Sequence, residues 1–127
     1  MVETFWLAAR EETPSSAKLT PRLRRRVCSL ATKLGNFIGY TSTGTVEFLV
    51  SADGSVFFLE MNTRLQVEHG VTELVTGLDL VELQLLVAAG EKLPITQDDV
   101  SVNGHAIEVR VYPEDPETFM PDAGDIT

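Results

Sequence analysis

The pattern of apolar and polar residues predicts a β-hairpin that lies between two helices. Residues 45–50 and 56–61 have the composition of strands, and the dipeptide Asp53-Gly54 between them favours a two-residue hairpin turn. Upstream, Thr20 and Pro21 provide a helix cap and a first helical residue. The apolar residues that follow recur at helical spacing, and these are Leu23, Val27, Leu30, Leu34 and Ile38. We expect this first helix to end near Gly35 or Gly39.

Beyond the hairpin, the pattern predicts a second helix and a further strand. Asp79 with Glu82 three residues later forms a capping box, and Gly90 suits the C-terminal cap of a helix that spans Asp79 to Ala89. Residues 94–99 form a connector, which is the expected domain boundary. Residues 105–112 alternate between polar and apolar side chains, as a strand does.

Charge and composition exclude several classes of protein. The chain has 127 residues and a formal net charge of −9, which argues against general nucleic-acid binding. Cys28, the single cysteine, excludes an internal disulfide framework and fits a reducing compartment. No apolar run approaches the roughly 20 residues that span a bilayer, and Met1–Arg10 makes a poor secretory signal, so we expect a cytoplasmic protein with no membrane partner.

A short basic run stands out against the acidic composition. It lies at the start of the first helix and consists of Arg22, Arg24, Arg25 and Arg26. It is either a solvated helix face or a contact for a phosphate or a partner.

A two-residue turn at Asp53-Gly54 fixes the register of the hairpin. It places Phe48 opposite Leu59, Glu47 opposite Glu60, and Asn62 opposite a threonine. One face is then wholly apolar and carries Val46, Phe48, Val50, Phe57, Leu59 and Met61. The other face carries Thr45, Glu47, Leu49, Phe58, Glu60 and Asn62.

Two glutamates directly opposite each other repel, so something should offset the repulsion. A shared proton is one solution, and a divalent cation is another. Asn62 adds a third oxygen donor and favours the metal, while Leu49 and Phe58 could floor a pocket for a nucleotide base. An ordinary solvated face is the alternative, and a bulge in the turn would shift the register and separate the glutamates.

The segment after the hairpin is unusually rich in groups that bind anions or move protons. Arg64 suits a planar anion, Gln66 is both donor and acceptor, and Glu68 or His69 could act as a general base. The alternative is a polar loop in which Arg64 pairs with Glu60 or Glu68. Together with the carboxylate pair, these residues suggest phosphoryl transfer to a small anion.

The same residues resemble the signature of the biotin carboxylases. The resemblance rests on residues 60–69, which read EMNTRLQVEH, on GTVEFL at 44–49 before them, and on VTE at 71–73 and GLDLV at 77–81 after them. GHAIEVR at 104–110 and EDP at 114–116 also fit, so the similarity extends from about Glu12 to Thr127. The E-x-N piece occurs in many ATP-grasp enzymes, whereas the TRLQVEH extension is what resembles biotin carboxylases.

The resemblance implies an α+β fold in two parts. Residues 1–97 would be the C-terminal half of an ATP-grasp domain, with a mixed or antiparallel sheet and helices, although residues 1–11 do not fit the family pattern. Residues 98–127 would begin the C-terminal domain of a biotin carboxylase.

The resemblance also implies roles for individual residues. Glu47, Glu60 and Asn62 would hold the Mg²⁺ or Mn²⁺ ions that bridge the phosphates of ATP, and Leu49 would lie near the adenine. Arg64, Gln66 and the backbone of Val67 would hold bicarbonate. Glu68 would remove the bicarbonate proton, and Arg110 would stabilise the biotin enolate.

The implied activity is ATP- and bicarbonate-dependent carboxylation of biotin on a carrier protein, through carboxyphosphate. The implied partners are the biotin carboxyl carrier, a carboxyltransferase and a second copy in a homodimer. The glycine-rich loop and lysines expected upstream are not in this sequence, so we expect a fragment that does not carboxylate biotin alone. Two alternatives are another ATP-grasp ligase, such as a carbamoyl-phosphate synthase, and a non-catalytic remnant.

Overall fold

A computed structural model describes residues 20–122. The elements in chain order are helix α1 (Pro21–Ile38), strands β1 (Thr45–Val50) and β2 (Val56–Asn62), and helices α2 (His69–Thr76) and α3 (Leu80–Ala88), followed by a 3₁₀ turn at Gln97–Asp99. The strands form a two-stranded antiparallel sheet. The α+β class is therefore confirmed, whereas the expectation for residues 1–11 falls outside the described residues. No helix within residues 20–122 is long and apolar enough to cross a membrane.

Helix α1 begins and ends at the residues that its sequence predicts. The Thr20 hydroxyl accepts a hydrogen bond from the backbone N–H of Leu23 at 3.2 Å, and Pro21 is the first helical residue. At the other end, Gly39 lies in the left-handed region with φ of 64°, a conformation that glycine adopts without a steric penalty. The earlier of the two expected ends, Gly35, lies inside the helix and is buried.

Helices α2 and α3 form a pair that the sequence predicts only in part. The expected helix is present as α3, with the Asp79 side chain accepting from the Glu82 N–H at 2.8 Å. The eight-residue helix α2 is not predicted, because it is short and its N-cap residue, Glu68, makes no side-chain capping bond. Instead, the carboxylate of Glu73 in α2 accepts from the Leu80 N–H at 2.6 Å and ties α2 to the start of α3.

The hairpin turn differs from the expected one by a single residue. The N–H of Ser51 donates to the Ser55 carbonyl at 3.0 Å, so the loop contains three residues, and Gly54 adopts φ of 82°. The Asp53 carboxylate accepts from the Ser55 N–H at 2.9 Å and from the hydroxyls of Ser51 and Ser55. These bonds stabilise the longer turn over the two-residue turn that Asp53-Gly54 alone suggests.

A β-bulge further along the sheet reverses this shift. Next to the turn, Val50 pairs with Val56 and Phe48 pairs with Phe58, one residue away from the expected register. The irregularity between Glu47 and Phe48 then inserts Leu59 into β2 as an extra residue. Because the two shifts cancel, Glu47 pairs with Glu60, as the sequence predicts.

The strand expected at residues 105–112 is absent. This segment has no regular secondary structure, and the sheet of the described part contains only β1 and β2. Ile107, Val109 and Val111 are 90%, 78% and 87% exposed. The sequence alternates as a strand does, but a strand requires a hydrogen-bonded neighbour, and residues 20–122 supply none for this segment. A single bridge, between Glu114 and Pro121, follows it.

The described residues bury little apolar surface. Ala31 in α1 is the one buried apolar residue among them, at 8% exposure, and the neighbouring helical turn buries Gly35. Cys28 and Ala31 on this face of α1 border a cleft of about 960 Å³, which α2, α3 and residues 102–110 also line. The cleft therefore lies where the helices meet the segment that carries Arg110.

Candidate functional site

The two glutamates of the hairpin share one face and one hydrogen-bond donor. Glu47 in β1 and Glu60 in β2 are cross-strand partners. The side-chain Nδ2 of Asn62 donates to Glu47 Oε1 at 2.9 Å and to Glu60 Oε1 at 3.2 Å. The amide group therefore lies between the carboxylates and offsets part of their repulsion.

These three side chains could supply part of the ligand set of a magnesium site. Two carboxylates and an amide are hard oxygen ligands, and Mg²⁺ typically takes one or two carboxylates together with substrate phosphates. Turning the Asn62 amide by 180° would exchange Nδ2 for Oδ1 and present a third oxygen to a cation. Within residues 20–122, no group of three or more His, Cys, Asp or Glu residues is placed to hold a metal. Phosphate or water oxygens could complete the coordination of a cation held by these three side chains.

The apolar residues beside the glutamates differ from those expected. Because the register is shifted between the turn and the bulge, Leu49 faces Phe57 and not Phe58. Phe58 lies across from Phe48 on the opposite face, where the two rings meet edge to face with centroids 6.4 Å apart. Leu49 and Phe57 are both more than half exposed. The apolar floor next to the carboxylates is therefore formed by Leu49 and Phe57.

Gly44 fixes the end of the hairpin that carries Asn62. A Cβ atom at Gly44 would lie 3.1 Å from the backbone oxygen of Asn62 and 3.0 Å from Cε1 of Tyr40. The hydroxyl of Tyr40 in turn donates to the Thr43 carbonyl at 2.8 Å. A side chain at this position would crowd the Asn62 backbone, so Gly44 is part of what positions Asn62 near the carboxylates.

The anion-type residues that follow the hairpin differ in their exposure and contacts. Arg64 is exposed and donates from Nη1 to the Leu65 carbonyl at 3.3 Å. It makes no ion pair with Glu60 or Glu68, so that alternative is wrong for the described structure. The side chain of Val67 is exposed, while Gln66 is half-buried.

Glu68 is paired with a residue 42 positions away. Its Oε2 lies 2.5 Å from Nη2 of Arg110, and the Glu68 side chain is only 14% exposed, against 45% for Arg110. Nη1 of Arg110 also donates to the Tyr112 hydroxyl at 3.4 Å. The hydrogen bond to Tyr112, and then the one to Glu68, raise the pKa of Arg110 above its usual value. The structure thus brings the candidate base and the candidate enolate-stabilising arginine into direct contact.

Helix α2 helps to position both residues of the contact between Glu68 and Arg110. Glu68 is its N-cap residue, and the following His69 contacts the Gln66 carbonyl through Nδ1 at 2.7 Å. Near the other end of α2, the Val75 carbonyl accepts from the Asn103 N–H at 2.8 Å, which tethers the segment leading to Arg110. No sequence motif signals this tether, because it joins two backbone groups.

The candidate residues therefore form two groups. Glu47, Glu60 and Asn62 form one group on the hairpin. Gln66, Glu68 and Arg110 belong to the other, since all three line the cleft of about 960 Å³. An acidic cation site, a base and a cation are together the groups that suit phosphoryl transfer to an anion.

Comparison with known families assigns the fold that carries these carboxylates to one class of protein. The model described as "Carbamoyl-phosphate synthase L chain, ATP binding domain" matches residues 9–96, more than half of the chain. The chain belongs to this family.

Two similar proteins within the family are biotin carboxylases. The chain is 56% identical over 117 residues to biotin carboxylase 2 of Bacillus subtilis. The aligned region covers 92% of this chain and 26% of that protein. It is 55% identical over 114 residues to a biotin carboxylase of Halalkalibacterium halodurans, which covers 90% of this chain and 25% of the relative. The resemblance to biotin carboxylases is thereby confirmed, and the chain spans about a quarter of the length of these relatives.

Solved structures give the same result. A biotin carboxylase from Campylobacter jejuni in complex with an ATP analogue superimposes with a TM-score of 0.75 at 44% identity, over 85% of this chain and 24% of the other. The biotin carboxylase domain of the 2-oxoglutarate carboxylase from Hydrogenobacter thermophilus, solved with MgADP, ADP and bicarbonate, gives a TM-score of 0.74 at 48% identity, again over 85% and 24%. The fold of the described residues is therefore that of an ATP-grasp biotin carboxylase segment.

Proposed function

We propose that the chain forms part of the active site of a biotin carboxylase, which uses ATP and bicarbonate to carboxylate biotin on a carrier protein. Two observations carry the proposal: the contact between Glu68 and Arg110 at 2.5 Å, and the hairpin on which Asn62 joins two carboxylates. The chain spans about a quarter of the relatives it matches, so the activity belongs to the larger protein.

The hairpin group would bind the metal and the nucleotide. Glu47 and Glu60 would hold Mg²⁺ or Mn²⁺ through one oxygen each, and Asn62 would add its Oδ1 after the amide turns. A divalent ion held by these residues would supply positive charge to offset that of the ATP phosphates. Leu49, with Phe57 beside it, would contact the adenine ring.

The second group, together with Arg64 and the backbone of Val67 from the same loop, would bind bicarbonate and biotin. Arg64, Gln66 and the backbone of Val67 would hold bicarbonate. Glu68 would take its proton, so that a bicarbonate oxygen attacks the γ-phosphorus of ATP, ADP leaves, and carboxyphosphate forms. Carboxyphosphate breaks down to carbon dioxide and phosphate, and Arg110 would stabilise the biotin enolate that attacks the carbon dioxide.

The ion pair between Glu68 and Arg110 suits both residues to these roles. The contact with the Arg110 guanidinium fixes the position of the Glu68 carboxylate, which a general base needs in order to reach its proton. Arg110 in turn is held by the hydroxyl of Tyr112 and by Glu68, so its guanidinium is oriented before an oxyanion arrives.

Partners and a location follow from the proposed activity. A biotin carboxyl carrier protein or domain would present biotin, a carboxyltransferase would use the product, and the complete enzyme would be a homodimer in the cytoplasm. The solved 2-oxoglutarate carboxylase domain is itself described as a dimer, which supports the homodimer. The division into a partial ATP-grasp domain at 1–97 and a second domain from 98 remains a prediction.

A carbamoyl-phosphate synthase is the rival enzyme, and the description of the matching family favours it. The two relatives at 55–56% identity are both biotin carboxylases, which favours the biotin enzyme.

Substitution of the proposed base separates the two enzymes. In the complete enzyme that contains this segment, Glu68→Gln keeps the size and the hydrogen-bonding capacity of the side chain but removes the base. We expect bicarbonate-dependent ATP hydrolysis in the presence of free biotin to fall by about 10²–10⁴-fold, the usual contribution of a general base. The matched control is Glu91→Gln, an exposed glutamate outside the cleft lining.

Three results would count against the proposal. They are unchanged turnover in Glu68→Gln, an equal loss in the control, and ATP hydrolysis by the wild-type enzyme that needs ammonia and ignores biotin. The 127-residue chain alone is expected to give no biotin-dependent hydrolysis.

A further inference from the structure

The charges of the chain are sharply segregated along its sequence. Residues 13–46 contain six cationic residues and no acid, whereas residues 47–127 contain sixteen acids and three cations, a net charge of −13. Helix α1 lies within the basic part and carries five of the six cations. Although the net charge of the chain is −9, helix α1 therefore carries a local positive surface.

Most of these cations form a stripe along one side of α1. At about 100° per residue, Arg22, Arg26 and Lys33 fall within about 40° of one another, and Arg25 lies about 60° to one side. All four are exposed. Arg24, from the same basic run, points the other way and lines the cleft. We call Arg22, Arg25, Arg26 and Lys33 the cationic stripe.

Within residues 20–122, nothing compensates the cationic stripe. None of its four side chains makes an ion pair or a hydrogen bond in this part of the chain. The first turn of α1 contains no acidic residue, and cations near a helix N-terminus oppose the helix dipole. Arg22 also lies three and four residues from Arg25 and Arg26, a spacing at which like charges repel. The stripe therefore destabilises α1 unless an anion lies against it.

We propose that the cationic stripe is a docking surface for a short acidic segment of a partner protein. This proposal goes beyond the proposed carboxylase function, because it concerns the face of α1 that points away from the cleft. From Arg22 to Lys33 the stripe is about 16 Å long at 1.5 Å per residue, and an extended peptide covers that length in about five residues. Carboxylates on such a segment can reach all four cations.

The size of the stripe favours an acidic protein segment over a nucleic acid or a membrane. Screening confines attraction to about 8 Å at physiological ionic strength, so a partner feels only the charges close to it. A duplex or an anionic bilayer extends well beyond the length of the stripe and would meet the acidic remainder of the chain, which repels it. A segment of five or six residues stays within the stripe.

Binding of fluorescein-labelled hexaglutamate, followed by fluorescence anisotropy at 50 mM NaCl, tests the proposal. The wild-type chain should bind hexaglutamate and not hexaglutamine, and binding should weaken at least fivefold at 300 mM NaCl. The double variant Arg22→Gln with Arg26→Gln should bind at least fivefold more weakly. The control, Arg24→Gln with Lys92→Gln, removes the same charge from other exposed positions and should bind within twofold of the wild type.

Glutamine keeps a high helix propensity, and circular dichroism of each variant checks that α1 is retained. The proposal is overturned if hexaglutamate does not bind, or if both double variants weaken binding equally. It is also overturned if a 20-base-pair DNA duplex or phosphatidylserine vesicles bind as tightly as hexaglutamate, because the surface would then favour another class of partner.

Discussion

Glu47→Gln should stabilise the metal-free chain and weaken its response to magnesium at the same time. In the hairpin, Glu47 and Glu60 are paired across the strands, and Asn62 Nδ2 donates to an oxygen of each at 2.9 and 3.2 Å. Because the two oxygens share this donor, they lie within about 6 Å of each other. Glutamine removes one of the two charges and keeps a carbonyl oxygen that Asn62 can still use.

The size of the effect follows from this separation. Two unit charges about 6 Å apart repel by about 0.7 kcal/mol in a water-like dielectric, and by more where solvent is partly excluded. Since the Asn62 amide already offsets part of the repulsion, we expect the free energy of unfolding to rise by about 0.5–1 kcal/mol at low salt. The gain should shrink as salt is added.

Magnesium should stabilise the wild-type chain more than the variant. A ligand at ten times its Kd stabilises the state that binds it by about 1.4 kcal/mol, so Mg²⁺ should stabilise the wild-type chain measurably. The variant has lost one of the two carboxylate ligands and should gain much less. Urea unfolding followed by circular dichroism, with and without Mg²⁺, measures both quantities, and Glu91→Gln is the matched control outside the hairpin.

The reasoning is refuted if Glu47→Gln is less stable than the wild type without metal. It is equally refuted if magnesium stabilises both proteins to the same extent, because the carboxylate pair would then not be the metal site.

Two further predictions concern the hairpin. Gly44→Ala should destabilise the chain by about 1–3 kcal/mol in urea unfolding, because its Cβ would meet the Asn62 backbone oxygen at 3.1 Å. The control is Gly70→Ala in α2, where an added Cβ meets nothing within 4 Å. This control should be neutral or stabilising. Hydrogen bonds from Ser51 and Ser55 lower the pKa of Asp53 from 3.8 to about 2. Because the pKa is lower in the folded state, Asp53 adds stability above pH 3.8, and this stability is lost as the pH falls toward 2. In acid unfolding, the stability of Asp53→Asn should therefore fall less between about pH 4 and 2 than that of the wild type.

Local chemistry makes the first and third helices predictable. Thr20 and Asp79 each cap a helix through a side-chain bond within three residues, so the sequence contains the whole signal. Helix α2 carries no such signal, because its N-cap makes no side-chain bond and its stability comes from contacts such as that between Glu73 and Leu80. At residues 105–112 the sequence signal is clear but the element is missing. Polar and apolar residues alternate there, yet the segment pairs with no strand in the described residues.

The pairing of the two glutamates is predicted correctly, but the turn from which it was predicted is wrong. The turn is one residue longer than expected, and the bulge at Leu59 restores the pairing of Glu47 with Glu60. Between these points the prediction is wrong, which is why Phe57, and not Phe58, lies opposite Leu49. A pattern of period two cannot reveal a pair of shifts that cancel.

The contact between Glu68 and Arg110 lies beyond reasoning from local pattern. The two residues are 42 positions apart, and the tether that brings them together runs between backbone groups of Asn103 and Val75. The family resemblance assigns both residues to one active site, but it gives no reason for an ion pair between them.

Paramagnetic broadening by Mn²⁺ tests most directly whether the hairpin carboxylates bind one cation. Substoichiometric MnCl₂ added to the ¹⁵N-labelled chain should broaden first the amide signals of residues 46–48 and 59–62, and excess Mg²⁺ should restore them. If the first signals to broaden are instead those of the acidic segment 114–122, or if Glu60→Gln leaves the broadening at the hairpin unchanged, Glu47 and Glu60 do not form the cation site.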